Sequence, residues 1–120
     1  MSARQLEVRV RQQPRVAIVD LQGEINSFGE AALQQAYADA EAWQPEVILL
    51  NFEDVDYINS TGIALIVSML AKARASHRRL LVCGLSEHYV ELFQITRLAD
   101  YMSIFPSEAE ALEEVPSPTA

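Results

Sequence analysis

Side chains that could do chemistry gather at two places in this 120-residue chain: Asn59-Ser60-Thr61-Gly62, heading the long run Ile63 to Ala75, and Gly23-Glu24-Ile25-Asn26-Ser27. Asn, Ser and Thr all make good helix caps, so a helix is predicted to begin at about Ser60, its first-turn N–H groups lying beside the hydroxyls. Ser60 and Thr61 are then either plain caps or switchable hydroxyls. A nucleophilic serine is not expected: there is no Gly-x-Ser-x-Gly elbow, and the only histidines, His77 and His88, fall at a helix end and at the start of the next helix. Gly23 and Gly84 lack the spacing of a phosphate-binding loop, and Glu53, Asp54 and Asp56 do not follow a calcium-loop pattern. The single cysteine, Cys83, sits in the apolar run Leu80 to Cys83 and reads as core, so no disulfide is expected. Neither a cofactor nor a metal is expected.

The elements that must position these residues follow from pattern. Leu6 to Arg11 alternates apolar and charged residues, the period of an edge strand, and after a turn at Gln13-Pro14-Arg15 the more continuously apolar Val16 to Leu21 completes an antiparallel hairpin. Gly23 to Asn26 breaks that strand. Ser27-Phe28-Gly29-Glu30 offers a capping box for a helix carrying Leu33, Ala36, Tyr37 and Ala40, which ends after Trp43 at Pro45. Val47 to Leu50 reads as a buried strand and Glu53 to Ile58 as a polar loop. Leu80 to Cys83 is a strand, Ser86 caps a helix over Glu87 to Ile95, Ile104-Phe105 is a short strand, and Ser107 to Glu110 caps a helix ending near Leu112. Right-handed crossovers make this order an α/β single domain: a mixed, mostly parallel β-sheet of four to five strands with an N-terminal antiparallel hairpin, packed with about four helices. The domain spans 1–112, and 113–120 is a flexible C-terminal tail.

Within the Ser60 helix, 100° steps put Ile63, Ile66, Val67 and Leu70 on a core stripe and turn Leu65 and Met69 outward. That pair is either an interaction surface beside Ser60 or is covered by another helix of the domain. Nine Lys and Arg against 17 Asp and Glu give a net charge of −8. Nine of the acids lie between Val16 and Ala71, a stretch without Lys or Arg, so the acidity belongs to the half that holds both polar segments. Such a balance argues against nucleic acid and favours a basic or neutral partner face. With no signal-peptide-like stretch at Met1 to Gln5 and no run of about 18 apolar residues, membrane insertion is not expected and a cytoplasmic location is. The sequon Asn59-Ser60-Thr61 then has no role.

Three segments in order carry a resemblance: the Gly23-Glu24-Ile25 turn, Val55 to Ala64, and Leu81 to Ser86 followed by Val90, Leu92, Phe93, Ile95 and Thr96. Together they resemble the STAS domain of anti-sigma factor antagonists over Val16 to Leu112. The resemblance implies a partner-switching regulator. In that family the unphosphorylated antagonist binds an anti-sigma factor, a serine/threonine kinase with a histidine-kinase-like ATPase fold. The kinase phosphorylates it, and a PP2C-type phosphatase reverses the modification. Position by position, the phosphorylated residue is Ser60, with Thr61 the lesser candidate. The implied docking face comprises Ser60, Thr61, Leu65 and Met69 with Asn59 and Gly62, flanked by Gly23, Glu24, Asn26 and Ser27. Asn59 and Asn26 stand where the family usually has aspartates, which loses charge while keeping an acceptor oxygen. That departure leaves a rival expectation, a STAS module that acts as a scaffold or transporter subunit without phosphorylation.

Overall fold

The computed structural model describes residues 5–115. Five strands form one sheet in the order of the chain: β1 (Glu7–Gln13), β2 (Val16–Ile25), β3 (Val47–Ile58), β4 (Arg79–Cys83) and β5 (Ser103–Phe105). The β1–β2 pair is antiparallel and the other three pairs are parallel. The helices are α1 (Glu30–Ala42), α2 (Ser60–Ala75), α3 (Glu87–Ile95) and α4 (Glu108–Leu112), with short 3₁₀ turns at Ser27–Gly29 and Leu98–Asp100. When parallel strands are laid down in sequence order, right-handed crossovers place every intervening helix on one face. The main core is accordingly built from Ala17, Val19 and Leu21 of β2, Ile48, Leu50 and Phe52 of β3, Leu80 and Val82 of β4, and the inward residues of α1, α2 and α3. Val16, Ile18, Val47, Leu49, Leu81 and Cys83 face the other way, where α4 covers them with Ala111 and Leu112. Val115 packs there too, so burial extends past the expected start of a tail at 113; residues 116–120 of that tail lie outside the described residues.

Two predicted breaks are strand. β2 continues to Ile25 with Gly23 at φ 102°, a left-handed value that favours glycine, and β3 continues through Glu53–Ile58. The pairing shows why alternation failed there. Between Asp20 and Gln22, and again between Gly23 and Glu24, β3 takes one extra residue, so its 12 residues run beside 10 of β2. Each bulge interrupts the two-residue period and re-aims side chains near the end of the sheet.

The α4 face holds one polar network. Arg11 forks onto Asp20, with Nε to Oδ2 at 2.6 Å and Nη2 to Oδ1 at 2.9 Å, and it also reaches Glu108 on α4. Asn51 donates to Asp20 at 2.9 Å. Burial alone would raise the Asp20 pKa, but the hydrogen bonds from Arg11 and Asn51 outweigh it and hold the carboxyl below its ordinary value. A depressed folded-state pKa contributes stability that is complete above the ordinary Asp range, about pH 4, and is lost as pH falls through the lower folded-state value. Acid titration followed by circular dichroism is expected to show a shallower loss of stability below about pH 4 in Asp20→Asn than in wild type.

Candidate functional site

Both polar segments arrive at the same end of the sheet, the C-terminal ends of the parallel strands β2 and β3, where open α/β sheets place their functional loops. Asn59 joins them. Its backbone N–H donates to the carbonyl of Ile25 at 3.1 Å, and its side-chain Oδ1 accepts from Gly62 N at 2.8 Å, capping α2. The cap uses only the acceptor oxygen, so asparagine performs it as well as aspartate would. Gly62 is buried against the same strand end: a Cβ there would run into the Ile25 carbonyl oxygen and stand 2.9 Å from Ile58 Cγ2. The N-terminus of α2 therefore rests directly on the backbone of β2.

On the β2 side, Asn26 caps the 3₁₀ turn. Its Oδ1 accepts from Phe28 N at 2.9 Å, and its Nδ2 donates to Glu24 Oε1 at 3.1 Å. That second bond needs an amide, since an aspartate at 26 would set two carboxylates together. The predicted Ser27 capping box does not form: Ser27 lies within the turn, and α1 begins at Glu30 after Gly29, which makes no side-chain cap. The asparagine takes the chain first, closing a short Asx turn one residue earlier. Ser86 occupies the cap position of α3, also without a side-chain cap bond, whereas Ser107 does accept from Glu110 N at 3.2 Å.

Ser60 and Thr61 are exposed on the first turn of α2. With Gly62 N held by Asn59, the N–H groups of Ser60 and Thr61 are the donors that helix geometry leaves over, at the positive end of the helix dipole. An anion on Ser60 would be electrostatically welcome.

The outward face of α2 differs from the predicted one. Met69 is 4% exposed and Leu65 is partly buried against the main core, so neither forms an outward apolar pair. The buried stripe is Gly62, Ile66, Met69, Leu70 and Ala73, while Val67, placed in the core by the sequence reading, is 40% exposed. The phase is set by Gly62, whose contact with Ile25 fixes which side of the helix meets the sheet. At 100° per residue Ser60, Ala64 and Val67 then point outward within about 60° of one another.

Three residues that sequence reasoning missed complete the site. Phe28, in the 3₁₀ turn that packs against α2, is 89% exposed. Tyr57, paired across the β2–β3 ladder with Glu24, is 52% exposed. Tyr89 of α3 is buried, and its hydroxyl accepts from Ile58 N at 2.8 Å and donates to Ile58 O at 3.3 Å. Because β4 pairs with β3 only as far as Asn51, the far end of β3 lacks a strand on that side, and the Tyr89 hydroxyl stands in for one. Tyr89→Phe would strand both backbone groups of Ile58, with an expected loss of about 1–3 kcal/mol in denaturant melts. Slowed or broadened NMR signals from Asn59 to Thr61 would mark the loosened strand end. Burial pushes the Cys83 thiol up to about 12 and the Tyr37 phenol up to about 12, so both stay neutral at physiological pH.

The sequence pattern that defines the STAS domain matches residues 7–111. The chain belongs to the STAS-domain family. It is 27% identical over 105 residues to the anti-sigma-B factor antagonist of Listeria monocytogenes, covering 88% of this chain and 91% of that protein. Its fold matches the crystal structure of an anti-sigma factor antagonist from Mycobacterium paratuberculosis with a TM-score of 0.80 at 21% identity, over 92% of this chain and 94% of that one. It also matches the Bacillus cell fate determinant SpoIIAA in its phosphorylated form, TM-score 0.72 at 20% identity, over 92% of this chain and all of that one. These STAS folds share the five-stranded sheet with its antiparallel N-terminal pair. Among the described residues, no helix is long and apolar enough to cross a membrane.

Proposed function

We propose that this STAS domain is an anti-sigma factor antagonist that docks, unphosphorylated, on an anti-sigma factor of histidine-kinase-like fold and is released when that kinase phosphorylates Ser60. One observation carries the reading: an exposed serine on the first turn of α2, beside first-turn N–H groups that helix geometry leaves without an intrahelical partner, at the end of the sheet that also presents exposed Phe28 and Tyr57, with Val67 exposed on the same face of the helix. The names of its relatives supply the antagonist role, and the phosphorylated SpoIIAA supports modification as the switch. A phosphate adds about −1.5 to −2 charge, which the helix N-terminus tolerates, so the fold survives. The effect falls on the interface, where a hydrated dianion must be desolvated against a packed partner surface. Exposed Glu53, Asp54 and Asp56 on β3 already make this end acidic, which favours a basic partner surface and salt-sensitive association. A PP2C-type phosphatase would reset the switch.

In a binding titration against the kinase, Ser60→Ala is expected to keep wild-type affinity and Ser60→Glu to lose at least about tenfold, roughly 1.4 kcal/mol, with unchanged circular dichroism. Equal affinities for the two variants would remove Ser60 from the interface. The uncharged Asn26 and Asn59 favour a second reading, a scaffold or transporter-associated module that docks through the same face and is never phosphorylated; a stable complex in which Ser60 stays unmodified in the presence of ATP would support it.

A further inference from the structure

The sheet has two open edges, and they are not equivalent. β5 is three residues long and is followed at once by Pro106, which cannot donate to a ladder. β1 is seven residues long, pairs with β2 along its whole length, and among the described residues has no neighbouring strand on its other side. Between β1 and α1 runs a groove of about 630 Å³ lined by Val8, Val10, Ala36 and Trp43, with Trp43 39% exposed. Arg9 carries its guanidinium on the opposite face of the strand, 79% exposed, and its nearest carboxylate is Asp20 at 4.0 Å.

We infer that β1 is a homodimer interface, pairing antiparallel with β1 of a second copy and centred on Val8. The charge sequence selects both the partner and the register. Residues opposite each other in an antiparallel pair share a face, and like charges directly opposed are destabilising. Centring on Val8 sets Glu7 against the second copy's Arg9, twice by symmetry, with Val8 against Val8 and Leu6 against Val10. Centring on Arg9 opposes two arginines and offers Glu7 only the second copy's Arg11, which Asp20 and Glu108 already hold, and centring on Val10 opposes Arg9 to Arg11 twice. The alternation that guards this edge against indiscriminate pairing thus leaves one self-complementary alignment. Arg11 is already engaged by Asp20 and Glu108, whereas Arg9, 79% exposed and only loosely paired with Asp20 at 4.0 Å, can turn to the contact. The two-fold operation also brings the two α1 helices to the same face of the joined strands.

The test is sedimentation velocity on the full chain over a concentration series, with wild type, Glu7→Arg, Arg9→Glu and the double variant. Both residues are exposed, and far-ultraviolet circular dichroism checks each fold. Wild type is expected to approach twice the monomer mass as concentration rises. Each single swap turns two attractive pairs repulsive and is expected to raise the dissociation constant by about tenfold or more, with the double variant returning near wild type. Nitrogen-15 chemical-shift changes with concentration should map to residues 6–10. A wild type that stays monomeric throughout, single swaps without effect, or a double variant that does not recover would each overturn the interface.

Discussion

Gly62→Ala is expected to destabilise the domain by about 2 kcal/mol, even though alanine is the better helix former by roughly 1 kcal/mol. The new methyl has no room, because it meets the Ile25 carbonyl oxygen and the Ile58 side chain, and the first of these is backbone that cannot rotate away. To accommodate it, the start of α2 must lift from β2, stretching the Asn59 N–H bond to Ile25 and the Asn59 cap on residue 62 together. A thermal melt should register a fall of roughly 5–10 °C. Ala64→Gly, on the exposed face of the same helix, supplies the contrast: it should lose only about 1 kcal/mol of propensity and leave the Ser60 segment in place. An unperturbed melt for Gly62→Ala would mean that the helix–strand contact does not position Ser60.

Phe28→Ala is expected to weaken binding to the anti-sigma factor by about 30-fold or more, near 2 kcal/mol, while leaving stability within about 0.5 kcal/mol of wild type. The two halves of that expectation share one cause. A phenylalanine ring that is 89% exposed contributes little to the fold, and it is held out by the turn that Asn26 closes, itself tied to Glu24. Large aromatic side chains presented rigidly at the centre of a polar-rimmed surface are where interfaces concentrate their energy. Ile95, 70% exposed at the C-terminal end of α3, is a control of similar exposure, and Ile95→Ala should bind as wild type does. Surface plasmon resonance or isothermal titration with the purified kinase reads both variants. Equal losses for Phe28 and Ile95 would mean that the docking face is not centred on the Ser60 end.

The sequence carried the strand and helix order because its signals are local: apolar runs, Pro45, and the Asn, Ser and Gly residues that stop one element and start another. It also carried Ser60, since a hydroxyl between a buried strand and a helix is visible in four consecutive residues. What it did not carry depends on contacts between distant segments. The outward face of α2 turns on Gly62 meeting Ile25, a contact 37 positions apart that the helix's own periodicity does not record, so periodicity alone turns Met69 out and Val67 in. The length of β3 depends on two bulges against β2, which make Glu53 to Asp56 look like loop when read by alternation. Tyr89 gives no local sign of its role, because the need it meets arises from β4 ending short of β3. Phe28 does carry a local signal: a large aromatic beside a cap, without the spacing of the helical stripe that follows.

A phosphorylation switch at Ser60 on the docking face is tested most directly by incubating the purified protein with ATP and an anti-sigma factor of histidine-kinase-like fold. Phosphopeptides are then mapped by mass spectrometry, and the modified protein is returned to the binding assay. The expected result is a single phosphate on Ser60 and a phosphorylated protein that no longer holds the kinase. A stable complex in which Ser60 stays unmodified, or a Ser60-phosphorylated protein that binds as tightly as before, would contradict it.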